Sequence, residues 1–400
     1  MSEPSNKLKF DAEKINEIIG LKYPPTSEQK AIIESALEPS LVIAGAGSGK
    51  TETMAARVVW LVANGFAKPS EILGLTFTRK AASELQQRVR QRLKSLTNSL
   101  GAAEIDPLEL PQISTYNSFA NRLIKIYGPE IGIDPNAPII SETTAWMIAR
   151  KVVINSKDSR ITDMGRAVDT VADAIVKLAG AATDHGVKTE QILAVGSKYA
   201  SLFPVDIFEI LELNEEKIPE ATTKQGQTLA TLEVLAPLVE DFYAEKRRLG
   251  VIDVGDQVAL ATKIIQMRPS VREQLRSAYK TVLLDEYQDT SVSQTKLFSE
   301  IFAEKPVMAV GDPNQAIYGW RGASASNLAN FPKAFSSNGE VKEYSLSISW
   351  RNGVQILNAA NTVVAEITRQ TASIKKPLKL EASPNASNFN LVWRDGFTIF

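Results

Sequence analysis

The chain has 400 residues, 44% of them hydrophobic, enough to bury a sizeable core and to form two or three domains. Its 45 basic and 46 acidic side chains leave a net charge of -1, which excludes a broad polybasic surface, so a polyanion would be met only in a local cleft. The absence of cysteine excludes disulfides, thiolate metal sites and cysteine nucleophiles, and a single histidine, His185, read as a surface residue, excludes a His-based triad.

No apolar stretch approaches membrane-spanning length, and Met1 to Phe10 is polar and charged rather than leader-like. The expectation is a cytoplasmic protein without membrane contact. The apolar β-branched run Leu41, Val42 and Ile43 predicts a strand, and Thr53 to Val62 predicts a helix. Between them lies AGAGSGKT, Ala44 to Thr51, with Ala44 standing where the usual phosphate-loop pattern has its first glycine. A Gly-rich turn between strand and helix aims backbone N–H groups at phosphate oxygens, and the helix N-terminus adds favourable partial charge. Gly45, Ala46, Gly47, Ser48 and Gly49 would form that cradle. Lys50 would reach the β- and γ-phosphates, and the Thr51 hydroxyl would take one position on Mg²⁺.

A second strand leads into Thr76, followed by a helix from Arg79 to Lys94. Leu85, Val89 and Leu93 share one face of it, and Arg88, Arg90, Arg92 and Lys94 read mostly as a solvated face. From about Ser95 to Gly250 helical patterns dominate. Leu229, Leu232, Leu235, Leu238 and Phe242 mark one such helix, and Lys246, Arg247 and Arg248 before Gly250 mark its end.

Thr281 to Leu284 predicts a strand that delivers Asp285 and Glu286 at its C-terminal end, where open α/β sheets place ligand sites. Asp285 can hold Mg²⁺ through its water shell, and Glu286 can orient and deprotonate an attacking water. Adjacent carboxylates at a strand end are also ordinary solvated loop residues. A further apolar run, Pro306 to Val310, narrows the choice, because Gly311 and Asp312 lead from it to Gln315, an uncharged donor and acceptor suited to sensing a γ-phosphate. Strands alternating with helices imply the α/β class with a mainly parallel sheet. After about Phe335 a new unit begins, with a loop at Pro384 and Asn385 and a strand from Phe389 to Trp393.

The phosphate loop, Thr76 to Ala82, DEYQDT (Asp285 to Thr290) and GDPNQAIYGWRGA (Gly311 to Ala323) together resemble the UvrD/Rep type of superfamily 1 DNA helicases, including the RecB-like helicase-nucleases, over roughly Tyr23 to Leu357. The resemblance implies a RecA-like phosphate-loop parallel sheet flanked by helices, with an all-helical insertion and a partial second RecA-like domain. The implied division is residues 1–95 and 251–335 for the first motor domain, 96–250 for the insertion and 336–400 for the start of the second motor domain. It also implies ATP with Mg²⁺, and single-stranded or duplex DNA as the track, travelled 3′ to 5′.

On matching positions, Gln29 resembles the family's adenine-reading glutamine, and Arg351 the arginine that reaches the γ-phosphate from the second motor domain. A surface arginine in a strand-to-helix turn is the other account of Arg351. Phe77, Tyr318 and Trp320 fall in segments that stack on single-stranded DNA, and Thr76 and Arg321 are candidate backbone contacts. Trp320 stands out because Gly319, Arg321 and Gly322 flank it. Thr115 and Asn117 lie in another DNA-contacting segment, Ser114 to Phe119, where many relatives carry histidine at the position of Asn117.

Relatives of this type continue for hundreds of residues, so the chain reads as an N-terminal portion, expected to bind ATP and single strands with weak hydrolysis and little unwinding. Two alternatives stay open: a helicase-nuclease whose nuclease carboxylates lie beyond residue 400, and a non-hydrolysing DNA-binding scaffold, a partner subunit of a repair or recombination complex.

Overall fold

The computed structural model describes residues 9–100, 109–163, 165–202, 225–226, 228–319, 323, 326–370 and 378–384. It divides into two compact units, one of Met1–Phe119, Arg268–Thr290 and Phe298–Phe400, the other of Ala120–Met267 and Ser291–Leu297.

The first unit is built on a parallel sheet. In chain order its elements are α1 (Ala12–Ile18), α2 (Ser27–Ile33), β1 (Ser40–Ala44), α3 (Lys50–Ala63), β2 (Ile72–Thr76), α4 (Arg79–Leu100), β3 (Gln112–Thr115) and the start of α5 (Tyr116–Tyr127). The second unit supplies α6 (Glu142–Asn155), α7 (Arg160–Asp163), α8 (Val168–His185), α9 (Thr189–Leu202), α10 (Leu232–Leu249) and α11 (Val254–Met267). The first unit then resumes with α12 (Pro269–Ala278), β4 (Thr281–Leu284), the end of α13 (Val292–Phe302), β5 (Val307–Gly311), α14 (Ser326–Phe335), β6 (Lys342–Leu346), β7 (Ile348–Ser349), α15 (Val354–Gln370) and β8 (Glu381–Ala382).

Six strands lie in the order β3-β2-β4-β5-β1-β6, every neighbouring pair parallel, and β7 and β8 form a separate parallel pair. Leu41 sits opposite Ala309, and Leu283 opposite both Gly74 and Met308. The inner strands read as short continuous apolar runs because helices cover both faces, so β2, β4 and β5 are buried at every residue. From β1 the chain crosses one way to β2, and from β5 it crosses the other way to β6. Such a reversal opens a crevice at the carboxyl ends of the strands between which it occurs. The loops after β1, β4 and β5 emerge at that edge.

One core cluster joins Val42, Ala44, Leu283, Met308 and Val310 from the sheet to Met54, Val58 and Leu61 of α3. An aromatic group of Tyr116, Phe119, Phe298, Phe302 and Tyr279 also fills the unit. The expected faces of α4 form: Leu85, Val89 and Leu93 are buried, and Arg90 and Lys94 exposed. Arg92 departs from expectation, being buried.

Among the described residues the second unit is helical, apart from an isolated bridge between Ile139 and Ile252. Its core joins Ile148, Ala149 and Val153 of α6, Ala172, Ile175 and Ala179 of α8, and Leu235, Leu238, Val239 and Phe242 of α10. Helix α10 ends as expected, with Gly250 in the left-handed region at φ 66°. His185 is exposed. The strand expected from Phe389 to Trp393 lies outside the described residues, of which Pro384 is the last. Among the described residues no helix is long and apolar enough to cross a membrane.

Candidate functional site

The turn from β1 into α3 is the phosphate loop. Ala44, in place of the usual first glycine, ends β1 fully buried. Gly47 and Gly49 have φ of 73° and 85°, a region an L side chain adopts only with strain, and this turns the loop so that α3 starts at Lys50. Ser48 is buried, and its hydroxyl donates to the Gly45 carbonyl at 2.8 Å. Carbonyls of the loop are held from β7 and just beyond it: the Ser349 hydroxyl donates to Ala46 O at 2.9 Å and the Trp350 N–H to Gly47 O at 2.9 Å. Arg351 follows so closely that a Cβ on Gly47 would stand 2.5 Å from the Arg351 Cβ. The arginine chosen by resemblance therefore lies against the phosphate loop.

At the end of β4, Asp285 and Glu286 divide. The Asp285 N–H donates to Leu75 O at 2.8 Å, extending the sheet by one bond, and its carboxylate accepts the Thr76 hydroxyl at 3.4 Å. Glu286 then takes φ 47°, which turns its side chain towards α3, and its Oε2 lies 3.4 Å from Lys50 Nζ. Burial, and then the neighbouring Glu286 carboxylate, push the Asp285 carboxyl up to about 7, against the pull of Lys50. Among the described residues no cluster of three or more acidic or imidazole ligands exists that could cage a metal. One buried carboxylate in need of positive charge, with Thr51 at the start of α3, fits Mg²⁺, which takes few protein ligands and completes its shell with water and phosphate.

Next to the phosphate loop is a cleft of about 340 Å³ lined by Tyr23, Pro25, Gln29, Glu52, Trp60 and Trp350, among others. Gln29 is the N3 residue of a capping box: its N–H donates to Thr26 Oγ1 at 3.2 Å and its Oε1 accepts the Thr26 N–H at 3.0 Å. That leaves the Nε2 end facing Gly49, 3.0 Å from where a Cβ would stand. Trp350 and Glu52 escaped the sequence reading. Trp350 had a signal, its place beside Arg351. The Glu52 carboxylate accepts from Arg88 at 3.2 Å and from Arg92, so two arginines of α4 reach the cleft wall, Arg92 buried there and Arg88 still partly in solvent.

The sites expected for DNA are distributed unevenly. Phe77 and Tyr318 are half-buried and meet, ring centroids 4.9 Å apart. Thr76 is a correction: it is wholly buried, with its hydroxyl on Asp285, so it presents no side chain to a strand of nucleic acid. Its position as the last residue of a central strand gives the reason. Thr115 is half-buried and its Oγ1 accepts the Ser118 N–H at 3.1 Å, opening α5, and Asn117 on the first turn is half-buried. Gln315 is half-buried beside Asp312, whose carboxylate accepts its amide. Trp320 and Arg321 lie outside the described residues.

A parallel sheet with a glycine-rich phosphate cradle after β1, a lysine at the helix start and a carboxylate pair at the end of β4, two strands away, defines an α/β protein of the RecA-like phosphate-loop class. Residues 25–336 match the model of the UvrD/REP helicase N-terminal domain, and the chain belongs to that family. It is 26% identical over 340 residues to an ATP-dependent DNA helicase PcrA of Staphylococcus aureus, covering 84% of this chain and 39% of that protein. It is 29% identical over 342 residues to a probable DNA helicase II homolog of Rickettsia felis, and 27% over 343 residues to a DNA helicase II of Rickettsia typhi, in each case covering 84% of this chain and 44% of the relative. The chain thus spans about two fifths of the length of the curated relatives it matches.

Proposed function

We propose that the chain carries the ATP-hydrolysing, DNA-contacting part of a helicase motor that works in DNA repair or recombination. The observation that carries this is the meeting of Lys50, Glu286 and Arg351 at one phosphate loop from three distant stretches of sequence. The triphosphate would lie in the cradle of Gly45 to Thr51, with Lys50 on the β- and γ-phosphates and the base in the cleft between Tyr23, Gln29 and Trp350. Thr51 and Asp285 would hold Mg²⁺, which when bound neutralises charge on the β- and γ-oxygens.

Glu286 orients the attacking water and takes its proton as the water oxygen bonds to the γ-phosphorus and the bond to the leaving β-phosphate oxygen breaks. Arg351 stabilises charge on the transferring group, and Gln315 senses its presence. Base stacking on Phe77 and Tyr318, together with contacts from Trp320, Arg321, Thr115 and Asn117, would hold single-stranded DNA, in keeping with a chain of net charge -1. Movement 3′ to 5′ and the cytoplasm as its place belong to the same proposal, as do an insertion within residues 96–250 and the start of a second motor domain within residues 336–400, with β3 and β6 kept as strands of the first unit's sheet. A non-hydrolysing scaffold would need none of Lys50, Asp285 and Glu286 in this geometry.

The test is steady-state ATP hydrolysis by the chain with and without oligo(dT), beside a Glu286→Gln control. The expected outcome is hydrolysis stimulated by the oligonucleotide and reduced at least ~100-fold in the control. ATP bound but never hydrolysed would favour the scaffold; binding of neither ligand would end the motor proposal.

A further inference from the structure

Gln288, two residues after the hydrolytic carboxylate, has no part in the function as described, yet it is 1% exposed and fully engaged. Its Nε2 donates to Glu286 Oε2 at 2.8 Å and to Asp289 Oδ2 at 3.2 Å, and its Oε1 accepts the N–H of Asp312 at 3.0 Å. The orientation of the amide is dictated: a backbone N–H can only donate, so the oxygen must face Asp312 and the nitrogen must face the two carboxylates. The fit leaves no slack, because a Cβ on Gly311 would stand 2.6 Å from Gln288 Oε1.

What this amide joins matters more than its burial. Glu286 Oε2, which it holds, is the same oxygen that faces Lys50 Nζ at 3.4 Å. Asp312, which it also holds, opens the segment that runs to Tyr318; the Asp312 carboxylate accepts from the Asn314 N–H at 3.0 Å and from the Gln315 amide. At the far end of that segment the Tyr318 ring packs on Phe77. One side chain therefore bridges the carboxylate that handles water and the backbone from which the γ-phosphate sensor and an aromatic of the DNA face both hang.

We propose that Gln288 is the positioning residue that couples occupancy of the aromatic face to the placement of the Glu286 carboxylate; this rests on the function proposed above. A strand that engages Tyr318 moves the segment beginning at Asp312, and Gln288 passes that shift to Glu286 through two hydrogen bonds. The coupling is reciprocal, so a nucleotide that fixes Glu286 alters affinity for the strand by the same factor.

The experiment compares the full chain with Gln288→Ala, Gln288→Glu and Gly311→Ala. A non-hydrolysable ATP analogue and oligo(dT) are titrated alone and each in the presence of the other, and hydrolysis is measured with and without oligo(dT). Gln288→Glu keeps the acceptor for Asp312 but sets a third carboxylate against Glu286 and Asp289, and Gly311→Ala displaces the same amide from outside. The expected result is that each ligand alone binds all folded variants within about threefold of the parent, while their mutual effect falls from a factor of about 5 or more to about 1. KM for ATP is retained, and stimulation by oligo(dT) disappears. Parental coupling in Gln288→Ala, loss of nucleotide binding in it, or a parent whose two ligands ignore each other overturns the inference. If Gln288→Ala does not fold, Gly311→Ala decides by the same criteria. A parent that binds neither ligand overturns the proposed function and this inference with it.

Discussion

Arg57 is a buried charge with no carboxylate beside it. It is 1% exposed, and its guanidinium donates to the carbonyls of Ile32 at 2.9 Å, Ile33 at 3.1 Å, Ser35 at 3.1 Å and Ala36 at 3.2 Å. These are the last carbonyls of α2 and the turn after it, the negative end of the helix that carries Gln29. Burial lowers the Arg57 pKa to about 10, so the group stays charged at neutral pH and fastens the Gln29 helix to α3, which begins at Lys50. Arg57→Met should cost about 3 kcal/mol in urea unfolding, since it strands several buried acceptors, and should raise KM for ATP more than it lowers kcat. A variant as stable as the parent would show that water replaces the fork. The residue left a trace in the sequence: it is the one charge in a run from Thr53 to Ala63 that is otherwise almost wholly apolar.

At the scale of elements, α10 shows how far a charged helix end can differ from its sequence appearance. Lys246 reads as one of three cations closing a helix, and the neighbouring Arg247 and Arg248 are exposed. Lys246 instead turns inward, its side chain 4% exposed, and Nζ donates to Asp253 at 2.5 Å and Asp256 at 2.7 Å while lying over the rings of Phe242 and Tyr243. Burial opposes the charge, but Asp256 and Asp253 more than offset it and hold the ammonium above its ordinary value. The cluster locks α10 to α11. Lys246→Met should destabilise the chain by about 3–5 kcal/mol, since it leaves two partly buried carboxylates facing each other. Chemical denaturation of the variant checks this, and a loss below ~1 kcal/mol would mean the carboxylates reach water instead. Helix α4 departs in the same way, with Arg92 on Glu52 where a solvated face was expected.

Over the whole molecule, the site is assembled from segments far apart in sequence: Gln29, the phosphate loop, Asp285 and Glu286, and Arg351. A ligand bound there should stabilise the first unit by about 2.7 kcal/mol at a hundred times its Kd. Hydrogen exchange should slow most at the carboxyl ends of β1 and β4, and least in the α6–α8–α10 core, which holds none of these residues. Equal slowing throughout would refute a site confined to that edge. The phosphate loop and the acidic pair were legible because backbone geometry and strand ends restrict which residues can serve there. Strands β1, β4 and β5 were legible because parallel strands are apolar on both faces. Gln288, Arg57, Glu52 and Thr76 were not, because their roles depend on which side chain arrives opposite them, and no local period encodes that.

The strand order also bears on synthesis. β1, which leads into the phosphate loop, hydrogen-bonds only to β5 and β6, whereas β2 finds its partners in β3 and β4. A ribosome that has passed Ala44 must continue to Val307 before β1 gains its first neighbour. At ordinary elongation rates the cradle's supporting strand stays unpaired on both edges for on the order of tens of seconds. During that interval the strand beneath the cradle has two open edges, the kind of apolar surface that makes a nascent chain prone to aggregate.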